Sequence, residues 1–257
     1  MINSNKRVVC VIPARLQSSR FPKKILVNLL DKPLLQWVWD AAHKVPMFDE
    51  IVFAIDSQEA ADLIQSFGGK YIMTSEKCES GTARLVEIMQ SGKIQADIWV
   101  NWQGDEPFIT TEMIYDLLQP CDNTSGMCTL KKLITIEEQI TSPNIAKVVS
   151  DAHQYALYFS RSPVPYFRDE KDLKVVLDKK IYYKHVGIYA FSTDALQKIA
   201  KLGFSELEDA EKLEQLRLLH YNIPVKVHET NHEVMGIDTP EDLRRAEIRA
   251  KQACQTL

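Results

Sequence analysis

Four cationic side chains, Arg15, Arg20, Lys23 and Lys24, fall within ten residues in Pro13-Ala14-Arg15-Leu16-Gln17-Ser18-Ser19-Arg20-Phe21-Pro22-Lys23-Lys24-Ile25-Leu26. Cationic forks and hydroxyls at this density can bind nucleotide phosphates through charge-assisted hydrogen bonds. The same composition also suits a plain basic surface loop. A second segment, Trp99-Val100-Asn101-Trp102-Gln103-Gly104-Asp105-Glu106-Pro107, runs an apolar stretch directly into two carboxylates. Mg²⁺ is typically held by one or two carboxylates together with phosphate oxygens, so Asp105 is a candidate ligand. An acidic turn closing a strand is the alternative. In the third segment, Gly236-Ile237-Asp238-Thr239-Pro240-Glu241-Asp242, Asp238 lies just before a helix start. Alone it reads as part of the cap; paired with Asp105 it can close a two-carboxylate metal site.

The elements around these segments predict where they point. Val8–Pro13, Glu50–Ile55, Lys70–Met73 and Asp97–Asn101 read as strands. Leu34–His43, Gln58–Phe67 and Thr82–Met89 carry apolar residues at helical spacing between them. Such alternation predicts an α/β fold with a mostly parallel central sheet, and the unbroken apolar run at Val8–Ile12 suits a central strand. Ligands of open parallel sheets bind beyond the carboxyl ends of the strands, which is where the basic loop and Asp105 would emerge. After about Asp122 an antiparallel excursion is expected, with strands at Thr129–Leu133, Ala146–Ser150, Ala156–Phe159 and Tyr182–Phe191. The charged run Asp169-Glu170-Lys171-Asp172 reads as a solvated loop. Helices are expected at Asp194–Lys201 and Ser205–Leu219, then a strand at Val225–His228. A final helix is capped by Thr239, with Pro240 at its first position and Asp242 completing a near capping box. No repeat or linker interrupts the 257 residues, which read as one domain, 1–257.

Composition narrows the chemistry. With 31 Lys and Arg against 35 Asp and Glu, the chain lacks the broad basic footprint of a nucleic-acid-coating protein. There is no G-x-G-x-x-G, no P-loop and no G-x-S-x-G elbow, which argues against nicotinamide enzymes, P-loop ATPases and α/β-hydrolases. The N-terminus lacks the apolar core of a signal peptide, and no run is long enough to span a bilayer. Five scattered cysteines without a Cys-x-x-Cys pair read as reduced thiols of a cytoplasmic protein.

Taken together, seven segments resemble one known family. They are Arg15-x-x-Ser18-x-Arg20-x-Pro22-x-Lys24, Ser80-Gly81-Thr82-x-Arg84, Gln103-Gly104-Asp105-Glu106-Pro107, Tyr158-Phe159-Ser160-Arg161, His185-x-Gly187-Ile188-Tyr189, Glu214-Gln215-Leu216-Arg217 and Asp238-Thr239-Pro240-Glu241-Asp242. Each is weak alone, but in this order, from about Val8 to Ala246, they are similar to the 3-deoxy-manno-octulosonate (Kdo) cytidylyltransferases. The resemblance implies a fold of the nucleotide-diphospho-sugar transferase type. It implies transfer of CMP from CTP to Kdo, in the synthesis of the lipopolysaccharide core, with Mg²⁺ as cofactor. It also implies a homodimer, with about 150–192 as the dimerisation and sugar-site excursion, and no membrane or nucleic-acid partner.

By position in that family, Arg15, Ser18, Arg20 and Lys24 would hold the triphosphate, and Ser80, Gly81 and Arg84 would sit against the nucleoside. Asp105 and Asp238 would ligate Mg²⁺, so that Arg15, Lys24, Asp105 and Asp238 form the catalytic set. Gln103, Arg161, His185, Tyr189, Glu214 and Gln215 would line the sugar pocket. Without the resemblance, His185 reads as a structural histidine and Glu214 and Gln215 as an exposed helix face. Three departures stand out. Lys23 occupies a position usually held by glycine, which alters the loop's backbone or adds a phosphate contact; Ile25 replaces a proline, implying a less rigid loop; Ala83 replaces a glutamate, affecting how Arg84 is held.

Overall fold

The computed structural model describes residues 6–17, 21–119 and 126–255. Two compact units divide it, one of Asn5–Ile114 with Glu233–Leu257, the other comprising Tyr115–His232. The fold is α/β.

In the first unit, four parallel strands lie in the spatial order Ile98–Asn101, Val8–Ala14, Glu50–Ile55, Tyr71–Met73. Val8–Ala14 is buried along its whole length, as its unbroken apolar run requires of a strand covered on both faces. Pairing of Val11 with both Val52 and Asn101 sets the register that brings the three strand ends together. Parallel neighbours need crossovers, supplied here by the helices Leu34–His43, Gln58–Ser66 and Gly81–Ser91. Ser57 and Ser80 cap the second and third of these, each accepting a backbone N–H at 3.2 Å from Ala60 and Ala83 respectively.

The helix Pro240–Gln255 begins as expected. The Thr239 hydroxyl accepts the Asp242 N–H at 3.1 Å while the Asp242 carboxylate accepts the Thr239 N–H at 3.0 Å, closing a reciprocal capping box. Asp242 also accepts the Asp238 N–H at 3.2 Å, which settles the backbone on which Asp238 is displayed.

The second unit carries the antiparallel excursion. Tyr183–Ser192 runs antiparallel to Met127–Leu133, with a bulge between Val186 and Tyr189, and Val225–Glu229 pairs parallel to Met127–Leu133. Lys147–Ser150 and Ala156–Ser160 form an antiparallel pair beside Tyr183–Ser192. Short helices escape the sequence patterns. Glu137–Thr141 and Leu173–Asp178 are under two turns long, too brief for an apolar stripe to show. Asp172, expected in a plain solvated loop, caps the latter through the Lys174 N–H at 3.0 Å.

Two expectations are corrected. The helix expected over Ser205–Leu219 is two helices, Glu206–Glu211 and Gln215–His220, broken at Lys212 in the left-handed region (φ 52°). Cys10 and Cys78 are free thiols, but Cys128 is disulfide-bonded rather than reduced.

Candidate active site

Within the first unit, Lys24 is the hub. It opens a short 3-10 turn, Lys24–Leu26, whose Ile25 is buried and anchors the loop. Its ammonium donates to the Asp105 carboxylate and, at 2.7 Å, to Asp238. The two acidic groups that the sequence offered separately therefore converge on one cation. Burial of Lys24 opposes its charge, but Asp105 and Asp238 outweigh that cost and raise its pKa, so it is an ammonium at neutral pH.

The backbone explains this convergence. The Ile237 N–H donates to the Asp105 carbonyl at 2.9 Å, lashing the segment before Asp238 to the acidic turn. Gly104 lets the acidic turn pack against the first strand: its N–H donates to the Pro13 carbonyl at 3.1 Å, and a Cβ there would lie 2.9 Å from that fixed backbone oxygen.

The described residues contain no cluster of three or more His, Cys, Asp or Glu side chains that could hold a metal by themselves. Two carboxylates converging on one cation nevertheless suit Mg²⁺, a hard ion that takes few protein oxygens and completes its shell with water and phosphate.

Lys23 takes a left-handed backbone (φ 55°), where glycine is at ease, and its ammonium pairs with Glu59 at 2.8 Å. Arg15 is exposed at the end of the first strand, and Ser18 and Arg20 lie outside the described residues. Ser80 and Gly81 form the start of their helix, with Gly81 packed close to Gln103, Asn101 and Pro13. Gln103 donates to the Asn101 side chain at 3.1 Å, so it stands beside the Ser80–Gly81 turn.

Arg84 is almost wholly buried. Its guanidinium donates to Asp56 at 2.7 Å and to Thr74 Oγ1 at 2.5 Å, while the other Asp56 oxygen accepts the Leu16 N–H at 3.0 Å. Arg84 thus braces the basic loop through Asp56, without help from Ala83, the departure nearest to it. The sequence reading missed Asp56, whose signal was its position directly after the strand Glu50–Ile55. Asp56→Asn should leave a buried guanidinium uncompensated, costing about 3–5 kcal/mol. At about 2–4 °C per kcal/mol, thermal denaturation should show Tm falling by roughly 10 °C. A loss under about 1 kcal/mol, the level of a surface pair, would refute the brace.

In the second unit, His185, Tyr189 and Gln215 form a connected group. His185 Nε2 lies 3.0 Å from Thr129 Oγ1, its ring is edge-on to Phe159 at 5.0 Å, and Tyr189 follows at 5.5 Å. Tyr189 donates to Gln215 Oε1 at 3.4 Å. Gln215 is 1% exposed, and its amide nitrogen has no hydrogen-bond partner. An unanswered buried donor costs about 1–3 kcal/mol, so this one is poised for an acceptor from outside the fold. Burial pushes the Tyr189 hydroxyl well above its usual range, reinforced by the charge of Glu214.

Burial drives the His185 pKa down to about 3. Its ring is therefore neutral through the physiological range and bonds as a fixed dipole rather than shuttling protons. Its contribution to stability is complete above the ordinary value of about 6.5 and is lost as pH falls toward the folded value. Arg161 directs its guanidinium to the carbonyls of Glu211 at 2.7 Å, Pro143 at 2.9 Å and Lys212 at 3.4 Å.

A family model described as Cytidylyltransferase matches residues 9–229. This chain belongs to the 3-deoxy-manno-octulosonate cytidylyltransferase family. A relative of that name from Trichlorobacter lovleyi is 42% identical over 96% of this chain and 99% of its own length. Another from Thermodesulfovibrio yellowstonii is 45% identical over 93% of this chain and 96% of its own. A solved structure of CMP:2-keto-3-deoxy-manno-octonic acid synthetase complexed with CTP is 41% identical, with a TM-score of 0.87 over 96% of this chain and 99% of that one. The inositol-1-phosphate CTP transferase from T. maritima shares the fold at a TM-score of 0.67, with 13% identity and 96% of each chain covered. No helix among the described residues of this cytidylyltransferase is long and apolar enough to cross a membrane.

Proposed function

We propose that this cytidylyltransferase transfers CMP from CTP to Kdo, releasing pyrophosphate, with Mg²⁺ as cofactor. The observation that carries the reading is the meeting of Lys24 with Asp105 and Asp238 in a chain that matches Kdo cytidylyltransferases over nearly its whole length. The anomeric 2-hydroxyl of Kdo attacks the α-phosphorus; a P–O bond to the sugar forms, the bond to pyrophosphate breaks, and the hydroxyl proton passes to solvent. Such transfers proceed by positioning and charge neutralisation, so no protein nucleophile is required. Lys24 and Arg15 neutralise phosphate charge, and Asp105 and Asp238 would hold Mg²⁺. When bound, that ion offsets phosphate charge and lowers the pKa of the sugar hydroxyl. Ser80 and Gly81 border the nucleoside.

The Gln215 amide supplies a donor to a Kdo hydroxyl, and neutral His185 and Tyr189 extend the set. A site whose buried polar groups await hydroxyls discriminates strongly against sugars that leave them unpaired. Kdo should therefore be preferred over sialate. The product serves the lipopolysaccharide inner core, the enzyme works in the cytoplasm, and two copies associate through the antiparallel second half.

The deciding experiment is pyrophosphate release from CTP with Kdo, sialate and 8-amino-Kdo, each with and without Mg²⁺. Mg²⁺-dependent release favouring Kdo is expected; equal kcat/KM for Kdo and sialate would overturn the substrate, and binding without release would reduce the protein to a non-catalytic module. Light scattering showing only single-chain mass at micromolar concentration would refute the dimer. Because His185 is neutral throughout, the pH profile of kcat/KM in His185→Gln should parallel the wild type between about pH 5 and 8. An inflection lost in the variant would instead make His185 an acid or base.

A further inference from the structure

We infer that Glu211 is a positioning residue of the sugar pocket, setting the turn from which Glu214 and Gln215 are presented. The inference rests on the proposed sugar site. Lys212 breaks what the sequence pattern would continue as one helix, and a left-handed backbone is strained for a residue that bears a side chain. Such a conformation persists only where its surroundings over-determine it.

Glu211 supplies that determination. One carboxylate oxygen accepts the Ser160 hydroxyl at 2.7 Å and the other accepts the Arg161 N–H at 2.8 Å. Arg161 returns the contact, its Nε donating to the Glu211 carbonyl at 2.7 Å. With its guanidinium also on the carbonyls of Pro143 and Lys212, Arg161 acts on the pocket through this turn. Behind the clasp, the fully buried Lys147 donates to the Arg161 carbonyl and to those of Ser142 at 2.9 Å and Ile145 at 2.7 Å. Arg217 ties the helix after the break to the one before it through Glu208 at 2.8 Å. Two residues beyond the break, Glu214 starts the helix Gln215–His220, and Gln215 turns inward to Tyr189. In an uninterrupted helix each residue advances by about 100°, so removing one left-handed residue would turn the Gln215 amide away from Tyr189.

The test is steady-state kinetics of Glu211→Gln, which keeps the side chain's shape but replaces an acceptor oxygen by a donor. KM for Kdo should rise roughly tenfold or more, while KM for CTP stays within about twofold. Adding Lys212→Gly, which takes the left-handed backbone without strain, should recover most of that loss. Wild-type enzyme inactive with Kdo would sink the proposed function itself. Active wild type with an unchanged KM for Kdo in Glu211→Gln would sink only the positioning role. So would an equal rise in both KM values, or failure of Lys212→Gly to rescue, since a direct substrate contact would not be restored by a turn glycine. Should Glu211→Gln fail to fold, Ser160→Ala removes one arm of the clasp, and the same selective rise in KM for Kdo, in smaller measure, is expected; no rise refutes the role.

Discussion

Asp105→Asn and Asp238→Asn are each expected to lower kcat/KM by roughly 10²-fold or more, and the double variant to lose little beyond the worse single one. The asparagine side chain keeps the size and one acceptor oxygen but removes the charge that would hold Mg²⁺. A loss of that order is about 2.7 kcal/mol of transition-state stabilisation. Residues that act as one unit are strongly non-additive. Both carboxylates meet the Lys24 ammonium, so some coupling is expected whatever the metal does. The deciding measurement is therefore the Mg²⁺ concentration for half-maximal velocity, which should rise in both single variants. An unchanged Mg²⁺ requirement in Asp238→Asn, or simple additivity of the two losses, would return Asp238 to the role of a helix-start residue.

Lys24→Ala is expected to lower kcat/KM by roughly 10²-fold or more, through lost neutralisation of the charge developing on the phosphates. It also leaves Asp105 and Asp238 facing one another without their shared cation. Lys23→Gly provides the contrast. Glycine relieves the left-handed strain at that position, worth about 1–2 kcal/mol. The side-chain partner lost is Glu59, in an exposed pair worth about 0–1 kcal/mol. Lys23→Gly should thus be near neutral in rate and neutral to stabilising in thermal denaturation. A severe loss at Lys23 and a mild one at Lys24 would reverse the assignment of the loop.

The strand-helix alternation of the first half was legible because each element is long enough for its period to show. Glu50–Ile55 and Leu34–His43 fall where their patterns place them. The capping box at Thr239 and Asp242 was equally readable, because its chemistry is local and needs only a three-residue spacing. The left-handed Lys212 was not, since the apolar pattern of Ser205–Leu219 is compatible with one helix. The break comes from contacts made by Ser160 and Arg161, some fifty residues earlier in the chain.

By itself, then, the amino-acid sequence determined the α/β class, the candidate residues and the family, because periodicity, caps and ordered motifs are properties of neighbouring positions. Only the tertiary structure decided which of those residues meet. Lys24 joining Asp105 to Asp238, Arg84 bracing Leu16 through Asp56, and Arg161 holding the Glu211 turn are all pairings between distant segments. A charged group's role depends on how much water it loses and which partner replaces that water. Arg84, buried against an acid, is a brace; Arg15, exposed at a strand end, remains available to a ligand. Their shared residue type could not separate them.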